Sequence, residues 1–181
     1  MKYPSEPLFD SPEFLRDHVR WILDFYEPIV RADDGGFYQC FKDDGTIYDP
    51  GMRHLVSSTR FVYNYATAFR FHGKPHHLEW AKDGLDFLQT VHRQPQGHYA
   101  WVVENGIVTD NRAMAYGHAF VMLAAASCVQ AGLTEAVSVI DEIWNFVDDN
   151  FWDESAGAYA DERDGTLLHL DPYRGQNANM H

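Results

Sequence analysis

Residues 97–107 read GHYAWVVENGI: a glycine followed by aromatic residues, a short extended run, an Asn-Gly pair and an aliphatic residue. Related stretches are GFYQCFKDDGTI at residues 36–47 and GAYADERDGTL at residues 157–167. Asn-Gly and Asp-Gly pairs supply the positive φ angles that tight hairpin turns need. The sequence therefore predicts three short β-hairpins that recur about every 60 residues, a period close to that of known repeat architectures.

Helices of two kinds separate these hairpins. Segments with one apolar stripe against a charged face, which is typical of an outer helix, are residues 13–29, 75–92 and 134–151. Residues 55–69 contain a single charged residue, Arg60, and residues 114–130 are apolar around most of the helix. Helices that are apolar on all sides are buried. The predicted order is outer helix, hairpin, inner helix, repeated.

Alternating outer and inner helices close into two concentric rings, so we predict an all-α fold: an (α/α)6 barrel with short β-hairpins. Six helix pairs of about 60 residues each need roughly 360 residues. The chain has 181 residues. Half a barrel would leave its inner ring exposed, which is a liability for a soluble domain. We therefore expect residues 1–181 to be the N-terminal half of a single (α/α)6-barrel catalytic domain.

Composition narrows the class of protein. The net charge is -13, and no run of lysine and arginine stands out, which argues against a nucleic-acid or anionic membrane surface. The two cysteines, Cys40 and Cys128, lie in aromatic and alanine-rich surroundings and are expected to be reduced. Residues 1–10 lack the apolar run of a signal peptide, and no apolar stretch reaches membrane-spanning length. The prediction is a cytoplasmic protein that acts on a neutral or weakly charged small molecule.

Five polar residues follow the glycine of a hairpin turn by 10 to 16 positions, which places them near the starts of inner helices. They are Arg60, Tyr116, His118, Asn177 and His181. Convergent polar groups in an apolar, concave enclosure are the expected form of a small-molecule site. We therefore expect these side chains at one mouth of the barrel.

Each residue also has a structural interpretation. Arg60 could be an ion-pair partner, although burying an unpaired guanidinium is costly. His118 could be a core histidine with satisfied hydrogen bonds, and Tyr116 a packed aromatic. The asparagines that precede His181 could cap a helix, a position that Asn favours.

A histidine cluster lies outside this set. His72, His76 and His77 would suggest a metal site, but their Gly73-Lys74-Pro75 setting indicates a solvated loop between helices. The prediction is that the protein holds no metal.

The hairpin repeat and three motifs resemble the N-acylglucosamine 2-epimerase superfamily over essentially the whole chain. The motifs are Ser58-Thr59-Arg60, Tyr116-Gly117-His118-Ala119-Phe120 and residues 174–181, RGQNANMH. Within that superfamily, His118 and the Asn-x-Asn-Met-His ending are similar to the aldose–ketose isomerase branch, the D-mannose and sulfoquinovose isomerases.

This resemblance implies isomerisation by proton transfer, with neither metal nor cofactor. A base removes the C2 proton of an open-chain aldose, and the resulting cis-enediol is protonated at C1. Arg60 would stabilise the developing negative charge, and His181 would assist ring opening or polarisation. Tyr116, Asn177 and His181 would hold sugar hydroxyls, with His118 as a direct or second-layer contact. Because the family's acid–base histidines lie in the second half of the barrel, we expect the 181 residues alone to be inactive.

Other functions stay open. A sugar 2-epimerase of the N-acylglucosamine or cellobiose type would return the proton to the opposite face of C2. A glycoside hydrolase would want paired carboxylates at the mouth, and a non-catalytic sugar-binding helical module would need neither Arg60 nor His181. Neutral hydrogen-bonding groups favour D-mannose or lyxose as the monosaccharide substrate. A homodimer through the outer helices is one alternative for the assembly.

Overall fold

The computed structural model describes residues 8–181, in which outer and inner helices alternate along the chain. The outer helices are α1 (Pro12–Tyr26), α3 (Pro75–Phe87) and α5 (Val137–Phe151). The inner helices are α2 (Leu55–His72), α4 (Ala115–Gln130) and the short α6 (Gln176–Met180). The predicted order of elements is confirmed. The expectation of no signal peptide rests on residues 1–10, of which 1–7 lie outside the described residues.

Local sequence sets the helix ends. Ser11 begins α1 by accepting the Phe14 N–H at 3.1 Å through its hydroxyl, and Pro12 follows it. Gly73 ends α2 in the left-handed conformation, with φ 66. Two predicted helices change their winding: Leu88–His92 forms a π-helical turn after α3, and Thr134–Ala136 forms a 3-10 turn before α5.

The first two hairpins have the predicted tight turns. In the first, β1 (Cys40–Phe41) pairs with β2 (Ile47–Asp49), and Gly45 takes a φ of 85. In the second, β4 (Val102–Glu104) pairs with β5 (Ile107–Asp110). Here Asn105 and Gly106 take φ values of 51 and 76, as a two-residue type I′ turn requires.

The third hairpin departs from the prediction. Two short strands precede its turn: β8 (Ala158–Tyr159) pairs with β7 (Trp152–Asp153), and Arg163 of β9 (Glu162–Arg163) forms an isolated antiparallel bridge with Leu170 across the turn. A turn does form at residues 164–167, where the Leu167 N–H donates to the Asp164 carbonyl at 2.9 Å, but the positive φ of 63 falls on Leu167 and not on Gly165 as predicted. The loop is wider, and the Asp164 N–H donates to the carbonyl of His169 at 3.1 Å.

Strands that join neighbouring repeats fix where the inner helices begin. The strand β3 (Met52–His54), which leads into α2, pairs with β4 of the next repeat, and β6 (Ala113–Met114), which leads into α4, pairs with β9. The Leu55 N–H donates to the Trp101 carbonyl, and the Ala115 N–H donates to the Asp161 carbonyl, both at 2.9 Å. Both donors and both acceptors are 60 positions apart in the chain. Equivalent bonds therefore set the starts of α2 and α4.

The main core lies between the inner and outer helices. It includes Val62, Leu85, Val121 and Ile143, each nearly or fully buried. The inner helices are not buried on every side, since Tyr63 and Leu123 remain exposed on α2 and α4. That exposed face carries the candidate site.

Two further sequence predictions bear on the class of protein. Cys40 and Cys128 are buried, free thiols, as expected. Within residues 8–181, no helix combines the length and the apolar character needed to cross a membrane.

Candidate functional site

Arg60 and Phe120 mark the centre of the exposed inner face. Each is the sixth residue of its inner helix, α2 or α4. The guanidinium carbon of Arg60 lies 5.2 Å from the centroid of the Phe120 ring, within the range of a cation–π interaction. Arg60 makes no ion pair or hydrogen bond with any residue from 8 to 181. Its donors therefore remain available to a ligand, and the ion-pair interpretation is not what the structure shows.

Tyr116 and His181 complete this cluster around Phe120. The Tyr116 ring centroid lies 4.8 Å from that of Phe120 and 4.9 Å from that of His181. The His181 and Phe120 centroids are 5.4 Å apart. His181 Nδ1 is 3.0 Å from the Asn177 carbonyl, which can only accept, so Nδ1 carries the proton. In the neutral tautomer, this leaves the lone pair of His181 Nε2 to accept a hydrogen bond from a ligand hydroxyl.

The two asparagines that precede His181, Asn177 and Asn179, have different surroundings. Asn179 holds α6 against β8: its side chain accepts the Tyr159 N–H at 2.7 Å and donates to the Tyr159 carbonyl at 3.0 Å. Asn177 is exposed. Neither asparagine caps the helix, because the N-cap residue is Gly175, which makes no side-chain cap bond. Asn177 is thus left facing solvent one turn before His181.

A cavity of about 270 Å³ adjoins the cluster. Its lining residues are Thr59, Arg60, Tyr63, Asn64, Phe120 and Leu123. A larger groove of about 570 Å³ lies between α1 and α2, and the linings of both are mostly apolar. Arg60 lines the smaller cavity, and its unpaired charge beside the cluster around Phe120 marks this cavity as the candidate small-molecule site.

His118 does not reach this cavity. Its side chain is fully buried, Nδ1 donates to the Met114 carbonyl at 2.7 Å, and Nε2 accepts the Tyr99 N–H at 3.2 Å. Burial lowers the pKa of His118 to about 4, against the opposing bond to Met114. The ring stacks on Phe146, with centroids 4.9 Å apart. The structure therefore places His118 behind the site, as a neutral tie between α4 and the second hairpin, and gives it no direct contact position.

Sequence reasoning missed a layer of polar side chains behind Arg60. Gln39 accepts the His54 N–H at 2.7 Å and donates to the Ser58 hydroxyl at 2.8 Å. Ser58 lies 3.3 Å from Nε2 of the buried His92. This network fixes the first turn of α2, and with it the position of Arg60.

His54 itself belongs to the mouth. Its ring centroid is 4.4 Å from that of Trp101. Burial lowers the pKa of His54, the charge of Arg60 lowers it further, and Asp110 opposes the shift. The sequence contains one signal for His54. The equivalent position of the next repeat, 60 residues later, is the apolar Met114, so a histidine here departs from the repeat. Phe120, an apolar residue, offered no comparable signal.

The histidine cluster also differs from expectation. His77 is fully buried in the first turn of α3 and contacts Glu27, so the solvated-loop prediction is wrong for this residue. Glu27, His76 and His77 are the one group of three His, Cys, Asp or Glu side chains, within residues 8–181, that is arranged to hold a metal ion. That group lies near the C-terminal end of α2, away from Arg60.

Comparisons with known proteins agree with this geometry. The sequence profile of the N-acylglucosamine 2-epimerase (GlcNAc 2-epimerase) family matches residues 36–181. The D-mannose isomerase of Marinomonas mediterranea is 41% identical over 177 residues, which are 98% of this chain and 45% of that relative. The cellobiose 2-epimerase of Eubacterium cellulosolvens is 28% identical over 146 residues, 79% of this chain and 36% of that relative.

The chain also matches a solved structure. A crystal structure of D-mannose isomerase superposes with a TM-score of 0.94 at 41% identity, covering 97% of this chain and 45% of that one. The match confirms the predicted (α/α)6-barrel fold and the resemblance to the isomerase branch. The chain spans less than half the length of these relatives. It belongs to the N-acylglucosamine 2-epimerase family.

Proposed function

We propose that the protein containing this chain is an aldose–ketose isomerase that interconverts D-mannose, or a related aldose such as lyxose, with its ketose. The observation that carries the proposal is the convergence of Arg60, Tyr116 and His181 on Phe120, with the guanidinium unpaired. The 41% identity to a D-mannose isomerase over 98% of the chain supports it.

In this proposal Arg60 faces the oxygen on which negative charge develops when the C2 proton leaves the open-chain sugar. A guanidinium stays protonated throughout and presents fixed donors, so it stabilises the cis-enediolate without exchanging protons. Phe120 holds that guanidinium in place. The charge is stabilised where it forms, which lowers the barrier to proton removal.

His181 would accept a hydrogen bond from a sugar hydroxyl through Nε2, and assist ring opening. Tyr116 and Asn177 would hold other hydroxyls. The base that moves the proton between C2 and C1 is assigned to no residue of this chain. By the family resemblance, we propose that the acid–base histidines belong to the second half of the barrel, and that residues 1–181 form the first half of the catalytic domain.

Two alternatives make different demands on this mouth. A glycoside hydrolase needs two carboxyl groups about 5 to 9.5 Å apart across the bond to be cleaved. Asp110 and Glu162, near the mouth, are both paired with Arg112, at 2.7 and 3.0 Å. A 2-epimerase would use the same enediolate. Because a cellobiose 2-epimerase is 28% identical to this chain, C2 epimerisation is the second candidate function.

Product analysis by NMR separates these functions. The full-length protein would be incubated separately with D-mannose, D-lyxose, N-acetylglucosamine, cellobiose and an aryl glycoside. Fructose from mannose, or xylulose from lyxose, supports the proposal. A C2 epimer without ketose moves the protein to the epimerase branch, and free sugar from the glycoside identifies a hydrolase.

We further propose a cytoplasmic, cofactor-independent enzyme with a monosaccharide as its partner. The buried, free thiols of Cys40 and Cys128 support a reducing compartment. Gel filtration of the full-length protein decides between a monomer and a homodimer through the outer helices.

A further inference from the structure

A compact group of metal-binding side chains joins α1 to α3. Glu27 is the C-cap residue of α1, and His76 and His77 lie in the first turn of α3. One ligand atom from each of the three residues lies within 4.8 Å of the other two. The contacts span 50 positions of the chain, so only the fold brings the three together.

The distances suit a small divalent cation. His77 Nε2 lies 2.7 Å from one carboxylate oxygen of Glu27, and His76 Nε2 lies 3.6 Å from the other. Ligands of a tetrahedral zinc ion at about 2.0–2.1 Å are roughly 3.3 Å apart. Because the two distances involve different oxygens, a zinc ion bound by one of them requires that oxygen to lie about 3.3 Å from both imidazole nitrogens, starting from separations of at most 4.8 Å.

Burial gives the group a protected side and an open side. His77 is fully buried, the Glu27 side chain is 19% exposed, and the His76 side chain is 38% exposed. An ion could therefore enter past His76 and keep a water in its fourth position. The buried side is polar as well: the Nδ1 atom of His77 and the Nε2 atom of neighbouring His72 are both buried without a hydrogen-bond partner among the described residues.

We propose that Glu27, His76 and His77 form a zinc site that clamps the end of α1 to the first turn of α3. Two imidazoles and one carboxylate are a ligand set that zinc favours. The site lies about 18 Å along α2 from Arg60, counted from Arg60 to His72 at 1.5 Å per residue. Its role is structural, separate from the sugar site. It does not depend on the proposed isomerase activity.

Lys74 gives the proposal a distinctive signature. Its ammonium lies 3.6 Å from a Glu27 oxygen and competes with a cation for the carboxylate. Because the Lys74 side chain is 48% exposed, its replacement leaves the core intact. Lys74→Gln should therefore tighten zinc binding, a gain that misfolding cannot produce.

The test is calorimetric titration of Zn²⁺ into the chelator-treated, full-length protein, with visible absorption of Co²⁺ as a second readout. We expect one saturable zinc per chain that raises the melting temperature. Affinity should fall more than tenfold in Glu27→Gln and in His76→Ala, and rise in Lys74→Gln. His169→Ala, which removes an exposed histidine elsewhere, should leave binding unchanged.

Two results would overturn the proposal. One is the absence of saturable binding at one zinc per chain. The other is binding of wild-type strength in folded Glu27→Gln and His76→Ala variants, with circular dichroism establishing their folding. Both substitutions avoid the fully buried His77 ring, so the variants are expected to fold.

Discussion

The guanidinium carbon of Arg60 lies 5.2 Å from the centroid of the Phe120 ring, and the two residues hold equivalent positions in adjacent inner helices. The hydrogen bonds that start α2 and α4 are likewise equivalent, at Leu55 and Ala115. The repeat therefore places both side chains at the same distance along their helices, on the exposed inner face. The first inner helix therefore supplies the Arg60 guanidinium, and the second supplies the Phe120 ring against which it packs.

Removing the Phe120 ring should weaken catalysis more than folding. We expect Phe120→Leu to reduce kcat/KM about two- to thirtyfold, because an exposed to partly desolvated cation–π contact contributes about 0.5–2 kcal/mol. Phe120→Tyr keeps the ring and should retain most of the activity. The measurement is steady-state mannose isomerisation by the full-length variants. Equal activity of the Leu and Tyr variants would contradict a role for the ring.

The two asparagines near His181 should separate binding from stability. Asn177→Ala should raise KM and leave the melting temperature unchanged, because the exposed Asn177 side chain makes no hydrogen bond among residues 8–181. Asn179→Ala should lower the melting temperature, since its side chain makes three bonds to the backbone of Tyr159 and Gly175. The loss is about 0.5–1.5 kcal/mol in the free energy of unfolding, the net contribution of a typical hydrogen bond, because the bonds to Tyr159 are exposed. Thermal denaturation and steady-state kinetics of the two variants check these predictions. A lowered melting temperature in Asn177→Ala, with an unchanged one in Asn179→Ala, would contradict the roles assigned to the two residues.

Two buried histidines should make the fold sensitive to acid. Burial lowers the pKa of His92 and of His118 to about 4, from an ordinary value of 6.5. The unfolded chain therefore binds more protons than the folded one between pH 6.5 and 4, so stability is present above pH 6.5 and is lost as the pH falls. Each histidine contributes a slope of up to about 1.4 kcal/mol per pH unit.

Urea denaturation at pH 7, 6 and 5 measures this loss. Other carboxylates add to acid sensitivity below about pH 5, so the window from pH 6.5 to 5 is the informative one. In His118→Asn, part of the slope should disappear. An unfolding free energy that stays constant from pH 7 to 5 would contradict the buried, neutral state of these rings.

Residues 1–181 on their own should be inactive. The acid–base histidines are expected in the second half of the barrel, and Tyr63 and Leu123 of the inner face are exposed in this chain. The measurement is fructose formation from mannose by the purified 181-residue chain, with the full-length protein as control. Detectable turnover by the verified chain would refute this prediction.

Periodicity and turn residues predicted the fold well because they act locally. Gly73 ends α2 and Asn105-Gly106 turns the second hairpin with positive φ angles that these residue types adopt readily. The third turn departs from the prediction because the Asp164 carboxylate accepts the N–H groups of Leu168 and His169, and the wider loop has its positive φ at Leu167.

The site was harder to predict because its contacts are long-range. A helix that is apolar on most sides, such as α4, does not reveal whether His118 faces the core or the inner surface. The burial of His77 depends on Glu27, 50 positions away. Phe120 was missed as a site residue because an aromatic side chain carries no chemical signal until Arg60 is placed beside it.

The most direct test of the central claim is NMR quantification of fructose formed from D-mannose by the full-length protein, its Arg60→Ala variant and its His181→Ala variant. We predict fructose from the wild type and a loss of about 10²–10³-fold in kcat for Arg60→Ala, the magnitude expected when a charge-stabilising donor is removed. His181→Ala should also lose activity while remaining folded. Fructose formation that survives both substitutions, or a wild-type protein that converts mannose to glucose alone, would contradict the account.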